Sequence, residues 1–247
     1  MSDLHLEAGR RYLTFDFPTT APYLLLAGDV GSLAEYDKYL AFIQRQTDRF
    51  DGVLLVLGNH EFHGLSYDDA LARARQLEGE ACLGGRLRVL HRQRFDLPGS
   101  DISILGCTLW SAIPEDARAA VEARVKGFQH ITSWSVDRHN QAHEEDVKWL
   151  ENEVRKAATE GREVVVATHH APCLEGTSEP RYAGSSWGSA FATDLLERGA
   201  WEGRVGVWVF GHTHFSTEVV VRGVRVLSNQ RGSGRDAKDG FDPGRIL

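Results

Sequence analysis

The sequence predicts a layered α/β domain with a partly antiparallel sheet. Short apolar runs of strand length recur along the chain, and segments with helical spacing of apolar residues lie between them. Near the carboxyl end, the dipeptide Arg222-Gly223 interrupts an apolar run, which is typical of a tight hairpin. No repeat or low-complexity linker divides the 247 residues, so we expect a single domain over residues 1–247.

The predicted strands are apolar runs that turn or polar residues bound on both sides. Their length and their content of β-branched residues are typical of buried strands. They cover residues 22–28, 53–58, 102–107, 163–168 and 205–210, and residues 218–227 form two further strands joined at Arg222-Gly223.

The predicted helices cover residues 33–49, 66–78 and 137–158. The last has the clearest pattern, because Val147, Leu150 and Val154 form an apolar stripe among charged residues. The segment after Asn229 is rich in glycine and charge, and we expect it to lack regular structure.

Composition and charge narrow the classes of partner. The net charge of −7 argues against nonspecific binding to long nucleic acids or anionic membranes, which favour basic surfaces. The three cysteines are far apart and form no CxxC motif, so we expect reduced thiols in a cytoplasmic protein. No signal peptide is visible, and no apolar run is long enough to span a bilayer.

Residues able to bind metal follow four of the predicted strands. In open α/β sheets the loops at the carboxyl ends of strands converge on one crevice, so these side chains are expected to meet. Each motif alone is weak, but their joint order along the chain favours a common site. The residues are Asp29, the pair Asn59-His60, the pair His169-His170, and His212 with His214, and Asp3 with His5 near the amino terminus is of the same type.

The candidate ligands are oxygen and imidazole groups without thiolate. They outnumber what a single ion needs, which indicates two ions with one shared carboxylate. Asp29 is the best bridge, because it is the lone carboxylate at its strand end. Such a donor set suits Mn, Fe, Zn, Co or Ni better than Ca or Mg.

These motifs resemble those of the calcineurin-like metallophosphoesterase superfamily. The blocks that carry the resemblance are Asp3-x-His5, Gly28-Asp29, Gly58-Asn59-His60-Glu61, His169 and Gly211-His212-x-His214, in the order that the family has them. The resemblance implies a four-layer α/β/β/α sandwich with two mixed sheets. It also implies a first ion held by Asp3, His5, Asp29 and His214, and a second held by Asp29, Asn59, His169 and His212. His170 stays open as an alternative to His169.

The implied activity is hydrolysis of a phosphodiester or phosphomonoester in a small substrate. A hydroxide between the two ions would attack phosphorus, and His60 would act as the general acid for the leaving group. A non-catalytic metal-binding scaffold of the same fold is the alternative, and a nuclease is a weaker one. His170 and Arg231 are the candidate substrate contacts, and residues 171–191 are a candidate loop over the site.

Two features at the ends of the chain carry further expectations. The segment LSNQRG (227–232) resembles a recurring feature of one uncharacterised, fungal-type branch of the superfamily. Members that resemble this chain have an apolar strand directly before Asp-x-His, whereas here Met1-Ser2 stands in its place. With this first strand apparently missing, we expect Asp3 and His5 to fray, a gap in the sheet, and a weakened first metal site.

Overall fold

The computed structural model describes residues 1–247 and contains two β-sheets flanked by helices. Every predicted strand is present, and its first and last residues lie within two residues of the predicted ones. The strands, in chain order, are β1 (Tyr23–Ala27), β2 (Gly52–Val56), β3 (Leu87–Val89), β4 (Gln93–Asp96), β5 (Ile102–Cys107), β6 (Glu163–Thr168), β7 (Val205–Phe210), β8 (Glu218–Val221) and β9 (Val224–Ser228).

The two sheets differ in size and in strand direction. The smaller sheet has the order β1-β2-β3 and is parallel throughout. The larger sheet has the order β4-β5-β6-β7-β9-β8, with four parallel strands in the centre and an antiparallel strand at each edge. The carboxyl ends of β1 and β2 are therefore neighbours, as are those of β6 and β7, so the loops after these strands can converge.

The helices cover the sheets. Their bounds are α1 (Tyr36–Thr47), α2 (Tyr67–Glu78), α3 (Arg118–Arg124), α4 (Gly127–His130) and α5 (Val136–Thr159). The predicted helices correspond to α1, α2 and α5, and α1 is preceded by a 3-10 turn at Leu33–Glu35. The hydroxyl groups of Ser66 and Ser135 accept backbone N–H bonds at the starts of α2 and α5, which explains where these helices begin. None of the helices combines the length and the apolar character that crossing a membrane requires.

Strand β2 shows how the layers stack. Its side chains alternate, and Val53 and Leu55 pack into the core that α1 and α2 cover. Leu54 and Val56 point the other way and pack with Ile104 of the larger sheet, so they lie between the sheets. Helix α5 packs on the outer face of the larger sheet. The layers are therefore helix, sheet, sheet, helix, which confirms the four-layer sandwich.

The predicted hairpin at Arg222-Gly223 is confirmed. Strands β8 and β9 pair in antiparallel fashion, and Val221 lies opposite Val224 on either side of a two-residue turn. Arg222 has φ 47° and Gly223 has φ 80°. Positive φ at both central residues is the geometry of a type I′ turn, which matches the twist of the flanking strands.

The amino-terminal segment runs alongside β1, so the expected fraying is wrong. The Ala27 N–H donates to the Met1 carbonyl at 2.9 Å, and the Asp3 N–H donates to the Gly28 carbonyl at 3.0 Å. Asp3 and His5 are both fully buried. The position where we expected a gap beside β1 is occupied by residues 1–3.

The same segment is held on its other side by residues that follow β9. The Ser2 N–H donates to the Asn229 carbonyl at 3.0 Å, and the Arg231 N–H donates to the Ser2 carbonyl at 3.1 Å. Ser2 and Gln230 form a parallel bridge, although residues 1–5 form no strand of their own. Residues after Asn229 contain no helix or strand, as predicted, yet their first residues are buried and support Asp3-x-His5.

Four short elements, β3, β4, α3 and α4, have no counterpart among the elements predicted from the sequence. Strand β3 has only three residues, and β4 (QRFD) carries charged side chains at an edge of its sheet. Helices α3 and α4 are seven and four residues long. Elements this short, with one exposed side, carry too few apolar residues to show a period.

Candidate metal centre

The strand ends and the amino-terminal segment bring all seven predicted ligand residues into one cluster. Six of them form two groups in which the possible ligand atoms lie within 4.8 Å of one another. One group is Asp3, His5 and His214, and the other is Asp29, His169 and His212. Asn59 lies beside the second group, with its Oδ1 3.1 Å from the Nε2 of His169. Their roles as ligands stay a prediction.

In the first group three side chains point at one small volume. The Nε2 atoms of His5 and His214 are 2.9 Å apart, and the Nε2 of His214 is 3.4 Å from the Oδ1 of Asp3. When two neutral imidazole nitrogens face each other, only one of them can carry a proton and donate it to the other. Two ring nitrogens this close together beside a carboxylate are typical of residues that bind the same cation.

Asp29 connects the two groups. Its Oδ1 lies 3.3 Å from the Nε2 of His169, while its Oδ2 lies 3.8 Å from the Nε2 of His5. One carboxylate therefore presents an oxygen to each group. This is the arrangement that a bridging role of Asp29 requires.

His212 provides an independent indication that a cation fits the second group. Its ring is buried, and its Nε2 has no hydrogen-bond partner. An unpartnered nitrogen in a buried site costs free energy unless a ligand uses its lone pair. Beside Asp29 and His169 this nitrogen completes a donor set that is suited to a transition-metal ion.

Backbone contacts hold the candidate ligands in orientation. The Nδ1–H of His169 donates to the Ala27 carbonyl at 3.0 Å, which leaves Nε2 free to face Asp29. Both oxygens of Asp3 accept from the His212 N–H, at 3.0 and 3.1 Å. The loop after β7 is therefore tied to the amino-terminal segment.

Two glycines make room for this close approach. A Cβ at Gly28 would lie 2.3 Å from the Nδ1 of His169, and one at Gly58 would lie 2.3 Å from the Oδ1 of Asp29. Any larger residue would push the candidate ligands apart. This is the physical reason for a glycine directly before Asp29 and directly before Asn59.

Five of the seven candidate ligands have a left-handed backbone. The φ angles are 54° at Asp3, 45° at His5, 52° at Asp29, 72° at His212 and 51° at His214. Residues other than glycine seldom adopt this conformation, and each costs on the order of 1–2 kcal/mol. Asp3 and His5 therefore do not face the site through the side-chain alternation of an extended strand.

The charges within the cluster hold its carboxylates ionised. Burial acts to raise the pKa of Asp3, but the hydrogen bond and charge of His214 outweigh it and lower this pKa to about 2. The surrounding imidazoles hold the pKa of Asp29 well below its usual range, against the effect of burial. Burial and the charge of His169 lower the pKa of His212 to about 3. The ionised carboxylates and the neutral His212 are in the forms that bind divalent cations. Burial acts to lower the pKa of His169, but the charge of Asp29 raises it to about 9, so His169 would release a proton on binding a cation.

His60, the predicted general acid, lies at the edge of the cluster. Its Nε2 is 3.8 Å from the Oδ2 of Asp29, and its Nδ1 is 2.8 Å from the Oε1 of Glu7. Burial acts to lower the pKa of His60, but the charge of Asp29 and the hydrogen bond and charge of Glu7 raise it to about 9. The ring is partly exposed, so one side of it faces solvent.

Glu61 ties the loop after β1 to the loop after β2. Its buried carboxylate accepts five hydrogen bonds of 2.7–3.2 Å, which no other side chain near the cluster does. The donors are the backbone N–H groups of Asp29, Val30, Gly31 and Gly58 and the hydroxyl group of Tyr39. The position of Asp29 relative to Asn59 therefore depends on this carboxylate.

We expect Glu61→Gln to lower the free energy of unfolding by about 2–4 kcal/mol. A glutamine offers one oxygen, and its NH₂ group would face backbone N–H donors that are then left without an acceptor. Urea denaturation measures the change. The matched control is Glu122→Gln on the exposed side of α3, which should change the stability by less than about 0.5 kcal/mol. Equal stability of the two variants would show that Glu61 does not hold these loops.

His170 lies outside the cluster that His169 joins. Its ring is fully buried and packs between Trp110 and His212, with ring centroids 5.4 and 4.1 Å away. Adjacent residues after a strand point in different directions, and here the first of the pair reaches Asp29. His170 is therefore packed in the core.

The guanidinium group of Arg231 is occupied within its own loop. It donates to the carbonyl groups of Gly232, Gly234 and Arg235 at 2.8–3.0 Å, and it lies over the ring of Phe15. The side chain is buried. These contacts order the segment after β9 and use the donors that a phosphate would need.

The loop formed by residues 171–191 contacts the cluster through its last residue. Phe191 stacks on the ring of His212, with the centroids 4.6 Å apart. The loop is also joined to the carboxyl-terminal segment, because Lys238 donates to Glu179 at 2.9 Å. It contains only short 3-10 turns, at Pro180–Tyr182 and Gly188–Ala190.

Residues 1–216 match the family model described as calcineurin-like phosphoesterase. A relative from Acanthamoeba polyphaga mimivirus, "Uncharacterized protein L509", is 27% identical over 273 residues, which cover 98% of this chain and 93% of the relative.

Solved structures share the fold. The phosphopantetheinyl hydrolase PptH from Mycobacterium tuberculosis matches with a TM-score of 0.69 and 18% identity, covering 94% of this chain and 88% of the other. A dimetal phosphatase from Danio rerio matches with a TM-score of 0.52 and 15% identity, covering 86% and 73%. At these identities the likeness concerns the fold alone.

Proposed function

Because this chain belongs to the calcineurin-like phosphoesterase family, we propose that it is a dimetal-dependent hydrolase that cleaves a phosphoester bond in a small substrate. The arrangement around Asp29 is the observation that carries the proposal. One oxygen of this carboxylate faces His169 and the other faces His5, so two cations would lie on either side of it. The names of the two structural neighbours, a hydrolase and a dimetal phosphatase, agree with this chemistry.

The two cation sites use the groups described above. Asp29 is common to both; Asp3, His5 and His214 would complete the first site, and Asn59, His169 and His212 the second. When bound, divalent ions lower the pKa of water and neutralise charge on phosphoryl oxygens. The donor set suits Mn, Fe, Zn, Co or Ni.

His60 would protonate the departing oxygen. A general acid needs a ring nitrogen that faces the reacting groups and access to the substrate, and the Nε2 of His60 has both. A metal-binding scaffold without catalysis has no use for a partly exposed imidazole in this position. The presence of His60 beside the shared carboxylate therefore favours an enzyme.

The substrate that we propose is small. The net charge of −7 opposes binding to long nucleic acids, whose affinity for proteins comes largely from phosphate contacts with basic groups. The same charge disfavours anionic membranes. A single phosphoester is instead attracted by the cations that the cluster would hold.

We expect purified protein to hydrolyse p-nitrophenyl phosphate or bis(p-nitrophenyl) phosphate when Mn, Fe, Zn, Co or Ni is supplied. The ratio of the two rates distinguishes a monoesterase from a diesterase. The control is the same protein after chelation, which should lose turnover and regain it with metal. Metal bound in stoichiometric amount, without turnover of either ester by any of the five ions, would support the scaffold and contradict the proposal.

A further inference from the structure

Glu7 lies against the predicted general acid, although neither the sequence motifs nor the cluster of candidate ligands includes it. Its Oε1 is 2.8 Å from the Nδ1 of His60. The same oxygen is 3.5 Å from the Nδ1 of His5, so the carboxylate lies between the two rings on the side away from Asp29. The ring nitrogens of His60 lie closer to this carboxylate than to His5, at 3.3 Å, or to Asp29, at 3.8 Å.

The backbone holds Glu7 in this position. The N–H groups of His5 and Leu6 donate to the carbonyl groups of Asp29 and Val30, at 3.0 and 2.9 Å. Leu6 is fully buried, and residues 6–10 form a turn. Glu7 is therefore anchored to the loop that carries Asp29, so its distance to His60 follows from the fold.

The contact selects one arrangement of the imidazole. An ionised carboxylate has no proton to donate, so Glu7 is the acceptor in this contact. The Nδ1 of His60 therefore carries a proton and donates it to the Oε1 of Glu7. The Nε2 then faces the cluster, 3.8 Å from Asp29. The Nδ1 of His5 also lies near the Nδ1 of His60, at 3.3 Å, but a ring nitrogen is a weaker acceptor than a carboxylate.

We propose that Glu7 is a positioning residue that holds the ring of His60 with Nδ1–H bound and Nε2 aimed at the leaving-group oxygen. The inference rests on the proposed function. As a hydroxide oxygen bonds to phosphorus and the bond between phosphorus and the leaving oxygen breaks, the bonding pair stays on the leaving oxygen, which takes the proton from Nε2. His60 becomes neutral and keeps its Nδ1 proton, Glu7 remains a carboxylate, and water later returns a proton to Nε2.

The kinetic test compares Glu7→Gln with the wild-type protein on two esters. Phenyl esters need a general acid because phenol is a poor leaving group, whereas p-nitrophenol leaves readily without a proton. We expect kcat for the phenyl ester to fall about 10- to 100-fold, which is part of the ~10²–10⁴ that a general acid contributes. For the p-nitrophenyl ester kcat should change by less than about 3-fold, with KM and metal content unchanged.

Two further variants decide whether Glu7 acts through His60. In the His60→Ala background, Glu7→Gln should cause no further loss, because the group that it positions is gone. Glu122→Gln, on the exposed side of α3, should behave as wild type. Equal losses for both esters, a further loss in the His60→Ala background, or loss of metal from Glu7→Gln would each overturn the proposal.

A spectroscopic measurement separates this proposal from the proposed function. Nitrogen-15 NMR of the Zn²⁺-loaded protein reports which ring nitrogen of His60 carries the proton, with His60→Ala to assign the signal. At alkaline pH, where the ring of His60 is neutral and keeps a single proton, we expect that proton on Nδ1 in the wild type and a mixture of the two tautomers in Glu7→Ala. An unchanged tautomer would overturn the role of Glu7 even in a protein that hydrolyses the esters. If no ester is hydrolysed but the tautomer changes, the proposed function fails while the contact stands.

Discussion

Replacing Asp29 with asparagine is expected to abolish metal binding and to lower kcat/KM by on the order of 1000-fold or more. Asp29 presents one oxygen to His169 and the other to His5, so both candidate sites lose a negative ligand. Bound cations supply several kcal/mol of charge stabilisation, and each ~1.4 kcal/mol corresponds to a factor of ten. Elemental analysis of the purified variant gives the metal content, and the p-nitrophenyl esters give the rate.

The matched control for this variant is Asp101→Asn. Asp101 is exposed and lies directly before β5. Both the metal content and the rate of this control should equal those of the wild type. Two ions per chain in Asp29→Asn would refute the assignment of Asp29 as the bridge.

His60→Ala is expected to keep its metal and to lose about 10²–10⁴-fold in kcat. The ring lies at the edge of the cluster, where its Nε2 faces Asp29 and its Nδ1 is bonded to Glu7. Removing it deletes the proposed proton donor and leaves the other seven residues in place. The rate on a phenyl ester and the metal content are measured on the same preparation.

His60 also belongs to a third group of metal-competent atoms, with His5 and Asp29, and the experiment distinguishes the two roles. If His60 binds a cation, its removal lowers the metal content together with the rate. If it acts as the acid, only the rate falls. His130→Ala serves as the control, because this imidazole is exposed on α4 and contacts none of the cluster.

The part of the fold that could be predicted is the part with apolar periodicity. Strands buried on both faces read as continuous apolar runs, as in β2, β6 and β7, and the long helix α5 shows its stripe. Because ligand residues directly follow those strands, most of the candidate site could be located too.

What could not be predicted depends on contacts between distant parts of the chain. The anchoring of Ser2 by Asn229 joins the two ends of the sequence, and no local pattern records it. The carbonyl groups that bind the guanidinium of Arg231 lie in an irregular loop, so the sequence alone leaves Arg231 as a candidate substrate contact. Glu7 and Glu61 stand beside predicted residues in the sequence, but their partners are visible only once the loops have folded.

The left-handed residues at the cluster have a consequence for engineering this protein. Glycine fits such a backbone without strain, so replacing His5, Asp29 or His214 with glycine would remove on the order of 1 kcal/mol of strain at each position. A design method that scores only how well each residue suits its backbone would therefore choose changes that erase the metal centre. Screens for higher melting temperature in metal-free buffer would select in the same direction, and a thermostabilised form has to be sought with the metal present throughout.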